Sequence, residues 1–346
     1  MLERLNITKY LDVREKWEQL LTDAGLKRDP PYSVVYGIYE DDRLVATGAR
    51  DDKRLKCIAI DPQYQGGNLF NELLSGMIMD ASDTGIDKLF LYAKPEAVIA
   101  FSHLGFQSLA STPQGITFME RGELSLDDYL DRLRETAEAY EREHRATRGP
   151  IESIVMNANP FTSGHRALIE NALTRAKRLH LFILSEDIST VPTEIRLRLV
   201  MEGTSDLNGI IYHPTESYII SNASFPSYFL KKESETTKTQ ATLDAILFRD
   251  KIAPALGITN RTVGDEPYDP VTSIYNNCLE EQFEGKIKLT IMPRINTDKG
   301  TPISGSLVRS ILMTGKVKDI RPFVPQTTYR FFNSREGRKL VRSWHK

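Results

Sequence analysis

"NPFTSGHRALIE" (residues 159–170) is the stretch from which the chain is best read. It follows a short apolar run, SIVMNA, and opens HRALIENALTRAKR, in which Leu168, Ile169, Ala172, Leu173 and Ala176 recur at helical spacing. A strand therefore ends in an Asn-Pro turn and re-enters as a helix behind Gly164-His165. Helix starts leave N–H groups unpaired, and with the helix dipole they attract phosphate. Gly164 lets backbone approach a ligand closely, His165 adds a donor that can follow charge on a phosphate oxygen, and Thr162 offers a hydroxyl. Taken alone, a Gly-His pair at a helix start is more often incidental than functional.

The pattern outward from this stretch favours a site. LHLFILSED, GIIYHP, ESYIIS, NRTVGDE and IKLTIMPRI read as further strands, with a helix around TEIRLRLVMEGTSD. Strands alternating with helices imply a Rossmann-like, doubly wound α/β sheet, mostly parallel and covered on both faces. Ligands of such sheets bind beyond the carboxyl ends of the strands, where NPFTSGH lies. A second segment, TPISGSLVRSILMTGK, sets Ser304 and Ser306 before a helix with apolar Leu307, Val308, Ile311 and Leu312, and Arg309 one turn in. It is either plain N-capping or a second phosphate-binding helix start with a guanidinium.

Together and in this order, the two segments resemble the signatures of the nucleotidyltransferase superfamily. Thr162-Ser163-Gly164-His165 corresponds to a T/H-x-G-H motif, and Ile303-Ser304-Gly305-Ser306-Leu307-Val308-Arg309 to an I-S-S/T-x-x-R-like motif, with Gly305 where Ser is frequent. The blocks NPFTSGHRALIE, SEDISTVPTEIRLRLV, IAPALGITNRTVGDEPYDPVTSIYN and ISGSLVRSIL resemble the citrate lyase ligase family over most of residues 151 to 315. That resemblance implies ATP and Mg²⁺ as cofactors, and acetate and the acyl carrier subunit of citrate lyase, with its dephospho-coenzyme-A-derived thiol arm, as partners. It implies catalytic roles for His165, Thr162 and Arg309. ATP would be bound by Asn159, Pro160, Phe161, Gly164, Arg196, Gly264, Asp265, Ile303, Ser304 and Ser306, with no protein metal site. Arg196 reads equally as a solvated helix arginine. Gly264 would lie under adenine or ribose with Asp265 and Glu266 beside it, and Asp269 caps the next helix or joins them. A nucleotidyltransferase releasing a free product and a non-catalytic nucleotide binder are the alternatives.

The first third reads separately. YSVVYGIYE, RLVATGAR and LKCIAIDP are strands, the first two joined by Asp41-Asp42, and KLFLYA is another. Leu69, Leu73, Leu74, Met77 and Met79 mark a helix between them. IAIDPQYQGGNLFNELL and KPEAVIAFSHLGF resemble the acetyltransferase-like (GNAT) domain of the ligase family. That resemblance makes Gln65, Gly66 and Gly67 the loop for a coenzyme-A-like carrier arm. Asn68 and Phe70 depart from the usual loop, and Phe101 stands where a proton-donating tyrosine is usual. The domain is therefore either an arm-binding module or a scaffold that lost its chemistry.

These readings divide the chain into a GNAT-like α/β domain (1–122), a connecting helix (123–150) and an adenylation domain (151–346). Ser125 and Asp128 form a capping-box pattern at the start of that helix, and Leu126, Tyr129, Leu130, Leu133, Ala137 and Tyr140 make its apolar stripe. The helix packs on one domain or is a third element of the first. At 346 residues two domains are expected, and a formal net charge of −2 gives no reason to expect nucleic acid. No apolar run approaches the roughly 20 residues of a membrane span, and MLERLNITKYLD has no continuous apolar core for a secretory signal. With only Cys57 and Cys278, neither a disulfide framework nor a metal cluster is expected. The expectation is a soluble, cytoplasmic enzyme without membrane or nucleic-acid partners.

Overall fold

A computed structural model describes residues 1–144, 149–185, 189–219, 233–265, 270–298 and 300–344. The chain folds as two compact units, Met1–Tyr129 with the stretch from Ile220 to Ile246, and Leu130–Ile219 with Leu247–Lys346.

In the first unit seven strands form one sheet: β1 (Leu2–Leu5), β2 (Val34–Glu40), β3 (Arg43–Asp51), β4 (Arg54–Ile60), β5 (Lys88–Ala93), β6 (Gln107–Ser111) and β7 (Thr117–Gly122). Their order is β1-β2-β3-β4-β5-β7-β6. The β2–β3 turn places Asp41 and Asp42 at φ of 46° and 63°, a left-handed pair whose twist suits a two-residue hairpin. Helices α1 (Leu11–Asp23) and α2 (Leu69–Asp83) are sequestered in different clusters, Trp17, Leu20 and Leu21 packing on Val35, Leu44 and Ala59, and Leu73, Leu74 and Met77 on Tyr36, Ile38 and Val45. A Cβ on Gly48 would stand 2.5 Å from the Met77 sulfur, so α2 lies close only because that position is glycine. Met79, one of the apolar residues that mark this helix, is 66% exposed: it lies about 200° round the helix from Met77. Strands β4 and β5 pair at one register position, Arg54 with Phe90, and diverge beyond it. After a short 3₁₀ turn at Pro62–Tyr64, the loop Gln65-Gly66-Gly67 leads into α2 where they part. Helix α3 (Val98–His103) follows β5.

The expected connecting helix is α4 (Leu126–His144). Its start is held as a capping box, the Ser125 N–H donating to Asp128 Oδ2 at 2.7 Å and the Asp128 N–H to Ser125 Oγ at 3.3 Å. From Leu130 onward it belongs to the second unit. There Tyr140 Oη accepts the Gly209 N–H at 2.9 Å, and Arg132 pairs with Glu216 at 3.0 Å.

The second unit holds the parallel sheet. Strands β8 (Ile151–Met156), β9 (Arg178–Ile183), β10 (Ile210–Pro214), β11 (Asn260–Gly264) and β12 (Lys288–Met292) lie in the order β10-β9-β8-β11-β12, each neighbouring pair parallel. The chain winds outward through β9 and β10, then crosses to β11 on the other side of β8. Strands β8 and β11 pair only at Glu152–Asn260 and Ser153–Arg261. Side chains reinforce that end: Ser153 Oγ donates to Asn260 O at 3.0 Å and Thr262 Oγ1 to Glu152 Oε1 at 2.9 Å. Past those bonds the strands part, opening a crevice at their carboxyl ends. The expected strand ESYIIS is absent as far as Ile219, where Tyr218 N–H turns back to Thr215 O at 3.2 Å; its last two residues lie outside the described residues.

Helices α5 (Ser163–Leu173), α6 (Thr193–Gly203), α10 (Gly305–Thr314) and α11 (Gln326–Asn333) bury Ile169, Ala172, Leu199, Val200, Val308, Leu312 and Phe332 against Ile154, Leu179, Leu181 and Ile183. Between them in sequence lie α7 (Glu233–Leu247), α8 (Ala253–Leu256) and α9 (Pro270–Phe283), and α12 (Arg335–Ser343) ends the chain. His180 of β9 and His213 of β10 are buried side by side, Nδ1 and Nε2 2.8 Å apart. Burial lowers both pKa values, that of His180 to about 3 and that of His213 to about 4.

Candidate active site

The crevice between β8 and β11 is a cleft open to solvent. Thr162, Gly164, His165 and Leu168 line it from the start of α5, and Ile303, Ser304 and Gly305 from the start of α10. Gly264 and Asp265 stand at the end of β11, Met292 at the end of β12, and Pro293, Arg294 and Ile295 beyond it. Two helix starts and two strand ends thus converge on one space.

The start of α5 is built around a reciprocal cap. Thr162 Oγ1 accepts the His165 N–H at 3.3 Å, while the Thr162 N–H donates to His165 Nδ1 at 3.1 Å. A backbone N–H can only donate, so Nδ1 is the acceptor and the imidazole proton sits on Nε2. Thr162 Oγ1 lies 2.8 Å from the same nitrogen and can donate its own hydrogen there. Burial lowers the His165 pKa to about 4, so near pH 7 the ring is a neutral Nε2–H donor. The Phe161 ring, fully buried, lies nearly parallel to it with centroids 6.0 Å apart.

At α10, Ser304 caps the helix by accepting the Leu307 N–H at 3.1 Å. A Cβ on Gly305 would stand 2.7 Å from Asn159 O. Glycine at this position, where related motifs often carry serine, is what lets α10 sit against the NPFTSGH loop. Ser163 N–H is taken by Phe323 O at 2.9 Å, but among the described residues neither the Gly164 nor the Gly305 N–H finds an acceptor. Two unpaired donors with their helix dipoles make this wall suited to an anion.

Several expected ligands stand elsewhere. Arg196 neither lines the cleft nor points to solvent. It is fully buried, donating from Nε to Val191 O at 2.9 Å, from Nη1 to Asn157 O at 2.8 Å and from Nη2 to Thr193 Oγ1 at 2.7 Å. Its planar fork joins the loop after β8 to the start of α6. Arg309 is also outside the lining: it donates to Asn159 O and, at 3.1 Å, to Ser306 Oγ, clamping α10 to the loop, and burial lowers its pKa. Pro160 and Phe161 are buried beneath the site, and Asn159 Oδ1 accepts the Val191 N–H at 3.0 Å. Ser306 is exposed at the helix start. Glu266 and Asp269 lie outside the described residues. Arg294 was not anticipated. The signal for it was the end of IKLTIMPRI, since the carboxyl end of a strand beside the switch point faces the crevice.

In the first unit Gly66 is left-handed at φ +83° with nothing within 4 Å of a Cβ placed there, and a Cβ on Gly67 would meet Tyr64 O at 3.8 Å, an ordinary contact. Asn68 makes no side-chain cap for α2. Phe70 turns into the core instead of the loop, its ring 5.3 Å from that of buried Phe101, which in turn lies 5.9 Å from Phe106. Cys57 and Cys278 are both buried, and burial pushes Cys57 up to about 12. Among the described residues no helix is long and apolar enough to cross a membrane.

A family model for the citrate lyase ligase C-terminal domain matches residues 151–332, and one for the acetyltransferase (GNAT) domain matches residues 8–119. The chain is 35% identical to the [citrate [pro-3S]-lyase] ligase of Escherichia coli, covering 91% of this chain and 89% of that protein. It is 34% identical to the Klebsiella pneumoniae protein of the same name, covering 96% of each. The Haemophilus influenzae protein of that name is 36% identical, over 91% of this chain and 93% of its own length. The first sheet accordingly belongs to a GNAT domain, and the second to the C-terminal domain of the citrate lyase ligase family.

Proposed function

The chain belongs to the citrate lyase ligase family, and from that premise we propose that it is the ATP-dependent, AMP-forming ligase that acetylates citrate lyase. An acetate oxygen attacks the α-phosphorus of ATP, the bond to pyrophosphate breaks, and acetyl-adenylate forms. The thiol of the carrier subunit's arm then attacks the acetyl carbon. A C–S bond forms, AMP leaves with the electron pair of the broken C–O bond, and the thiol proton passes to solvent.

The first step needs no base, because acetate is ionised at neutral pH. It needs positioning and stabilisation of charge on phosphate oxygens. His165 is suited to supply that stabilisation. With Nδ1 filled by Thr162, its one remaining donor is Nε2–H, on a side chain that lines the cleft. Thr162 is in this reading a positioning residue, which fixes the tautomer and the ring plane. The Gly164 and Gly305 N–H groups add neutral donors and Arg294 adds a positive charge. Arg309 and Ser306 brace the second helix start. Mg²⁺, when bound, would supply charge neutralisation at the phosphates of ATP. Asp265, a carboxylate in the described lining of the cleft, would help to hold it. The loop Gln65-Gly66-Gly67 is the proposed seat of the carrier arm, supported by its open left-handed backbone at the parting of β4 and β5.

The observation that carries the proposal is the neutral, tautomer-locked His165 at the switch point of a parallel sheet. Its test is pyrophosphate release from ATP and Mg²⁺ with acetate, and then with deacetylated citrate lyase. Acetate-dependent AMP formation that acetylates the lyase is the expected result. Release that requires some other acceptor would indicate a plain nucleotidyltransferase, and no release would indicate a nucleotide-binding regulator.

A further inference from the structure

Charge is unevenly distributed along the chain. Residues 316–346 contain nine Lys or Arg and two Asp or Glu, a net of +7 in a chain of formal net charge −2. Four of those cations, Arg335, Arg338, Lys339 and Arg342, lie on α12 and all are exposed. Their spacing i, i+3, i+4, i+7 places them within a stripe about 100° wide. The opposite side of the helix carries buried Gly337 and partly buried Leu340, Val341 and Trp344, the last donating from Nε1 to Thr190 O at 3.0 Å. The cations therefore face away from the core by construction.

The arrangement works against the helix that carries it. Like charges at i,i+3 and i,i+4 repel, and Arg335 opposes the positive end of the helix dipole. The acidic residue of this helix, Glu336, is drawn aside to Arg198 at 2.8 Å. A stripe that costs local stability is explained when something anionic covers it. The basic turn from Lys316 to Arg321, earlier in the same segment, is tied to the cleft by the chain. Helix α10, ten residues and about 15 Å long, runs from its cap in the cleft to Thr314, two residues before Lys316. The same segment returns to the cleft through Phe323 O, which accepts the Ser163 N–H at the start of α5.

We propose that the two basic elements of this segment, the outer stripe of α12 and the turn from Lys316 to Arg321, dock acidic surface of the carrier subunit of citrate lyase. The inference rests on the ligase reading above, which requires a protein substrate to present a thiol arm at a cleft about one short helix away. Complementary charge would steer that encounter and set its orientation, with a strong dependence on ionic strength.

The test is direct binding of the purified carrier subunit to the full chain at low and at physiological salt. Two neutralised variants are compared with the natural protein, R338Q/K339Q/R342Q and K318Q/R321Q. Each is expected to weaken carrier binding by about 10-fold or more at low salt and to flatten its salt dependence. Acetate-dependent exchange of pyrophosphate into ATP, which needs no carrier, should stay unchanged and report an intact cleft. Unaltered affinity in both variants would overturn the proposal, as would binding by the natural protein that is indifferent to salt. Duplex DNA bound more tightly than the carrier at physiological salt would overturn it too, reassigning the surface to nucleic acid. Absence of exchange in the natural protein would count against the ligase reading alone, because the binding comparison still decides the docking surface.

Discussion

The two units each present a glycine-bearing loop at the start of a helix, beside strands that part, yet they are finished differently. At Gly164 the loop is closed by a reciprocal Thr162–His165 cap, and a second helix start, that of α10, comes within contact of it. At Gly66 the following helix has no side-chain cap, the space around the glycines is open, and the nearby aromatic residue Phe70 is turned into the core. A glycine loop before a helix is a local feature that many folds contain. It becomes a defined donor array when another element converges on it and fixes where its protons point.

The largest expected effect tests the finished loop. His165→Ala should reduce acetate-dependent pyrophosphate release by on the order of 10²–10³, the loss typical of one oriented transition-state donor. Turnover like that of the natural protein would remove His165 from the chemistry. Thr162→Val keeps the shape and the backbone donor but deletes the hydroxyl, and a loss of roughly 10-fold, mostly in kcat, would fit its positioning role.

Acid stability should follow in size. Three histidines of the second unit, His165, His180 and His213, have folded-state pKa values lowered to about 4, 3 and 4. The unfolded chain takes up their protons near pH 6.5, whereas the folded one resists until near 4. Their contribution is therefore intact above about pH 6.5 and shrinks as the pH falls toward 4, by up to about 1.4 kcal/mol per histidine per pH unit. Denaturant titrations at pH 7 and pH 5 measure it, and a second unit equally stable at both values would contradict these burial effects.

Gly305→Ala should cost about 1–3 kcal/mol, because its Cβ meets backbone at Asn159 O and no side chain can yield. The cost should appear as a raised KM for ATP as α10 backs away from the loop. The smallest change is expected from Gly66→Ala. Left-handed backbone alone should cost roughly 1–2 kcal/mol, with acetate-dependent exchange untouched and acetylation of the carrier slowed. Equal rates of carrier acetylation would leave the first unit as a scaffold and sharpen the contrast between the two loops.

Some of this was legible in the chain before any coordinates. The alternation of apolar runs and helical spacings announced a parallel sheet, and the carboxyl-end rule located Thr162, Gly164 and His165 beside the crevice. The arginines were less legible. TEIRLRLV reads as a surface helix, but Arg196 is buried because backbone and side-chain acceptors of the loop after β8 and of the start of α6 converge on it. Arg309 sits in a recognisable motif yet spends its guanidinium on Asn159 O, a residue 150 positions away. Arg294 belongs to no motif and reaches the cleft because β12 lies beside β11.

What the sequence determined by itself was local: which segments are strands and helices, where helices begin, and which residue types stand at those beginnings. These follow from periodicity and capping, whose partners lie within a few residues along the chain. What only the tertiary structure decided was which donors remain available, namely the Nε2–H tautomer of His165, the approach of Gly305 to Asn159, and the diversion of Arg196 and Arg309 into bracing. The physical reason is that a hydrogen-bond donor is satisfied by whatever acceptor the fold brings near it. That pairing depends on distances in space between residues the sequence keeps far apart.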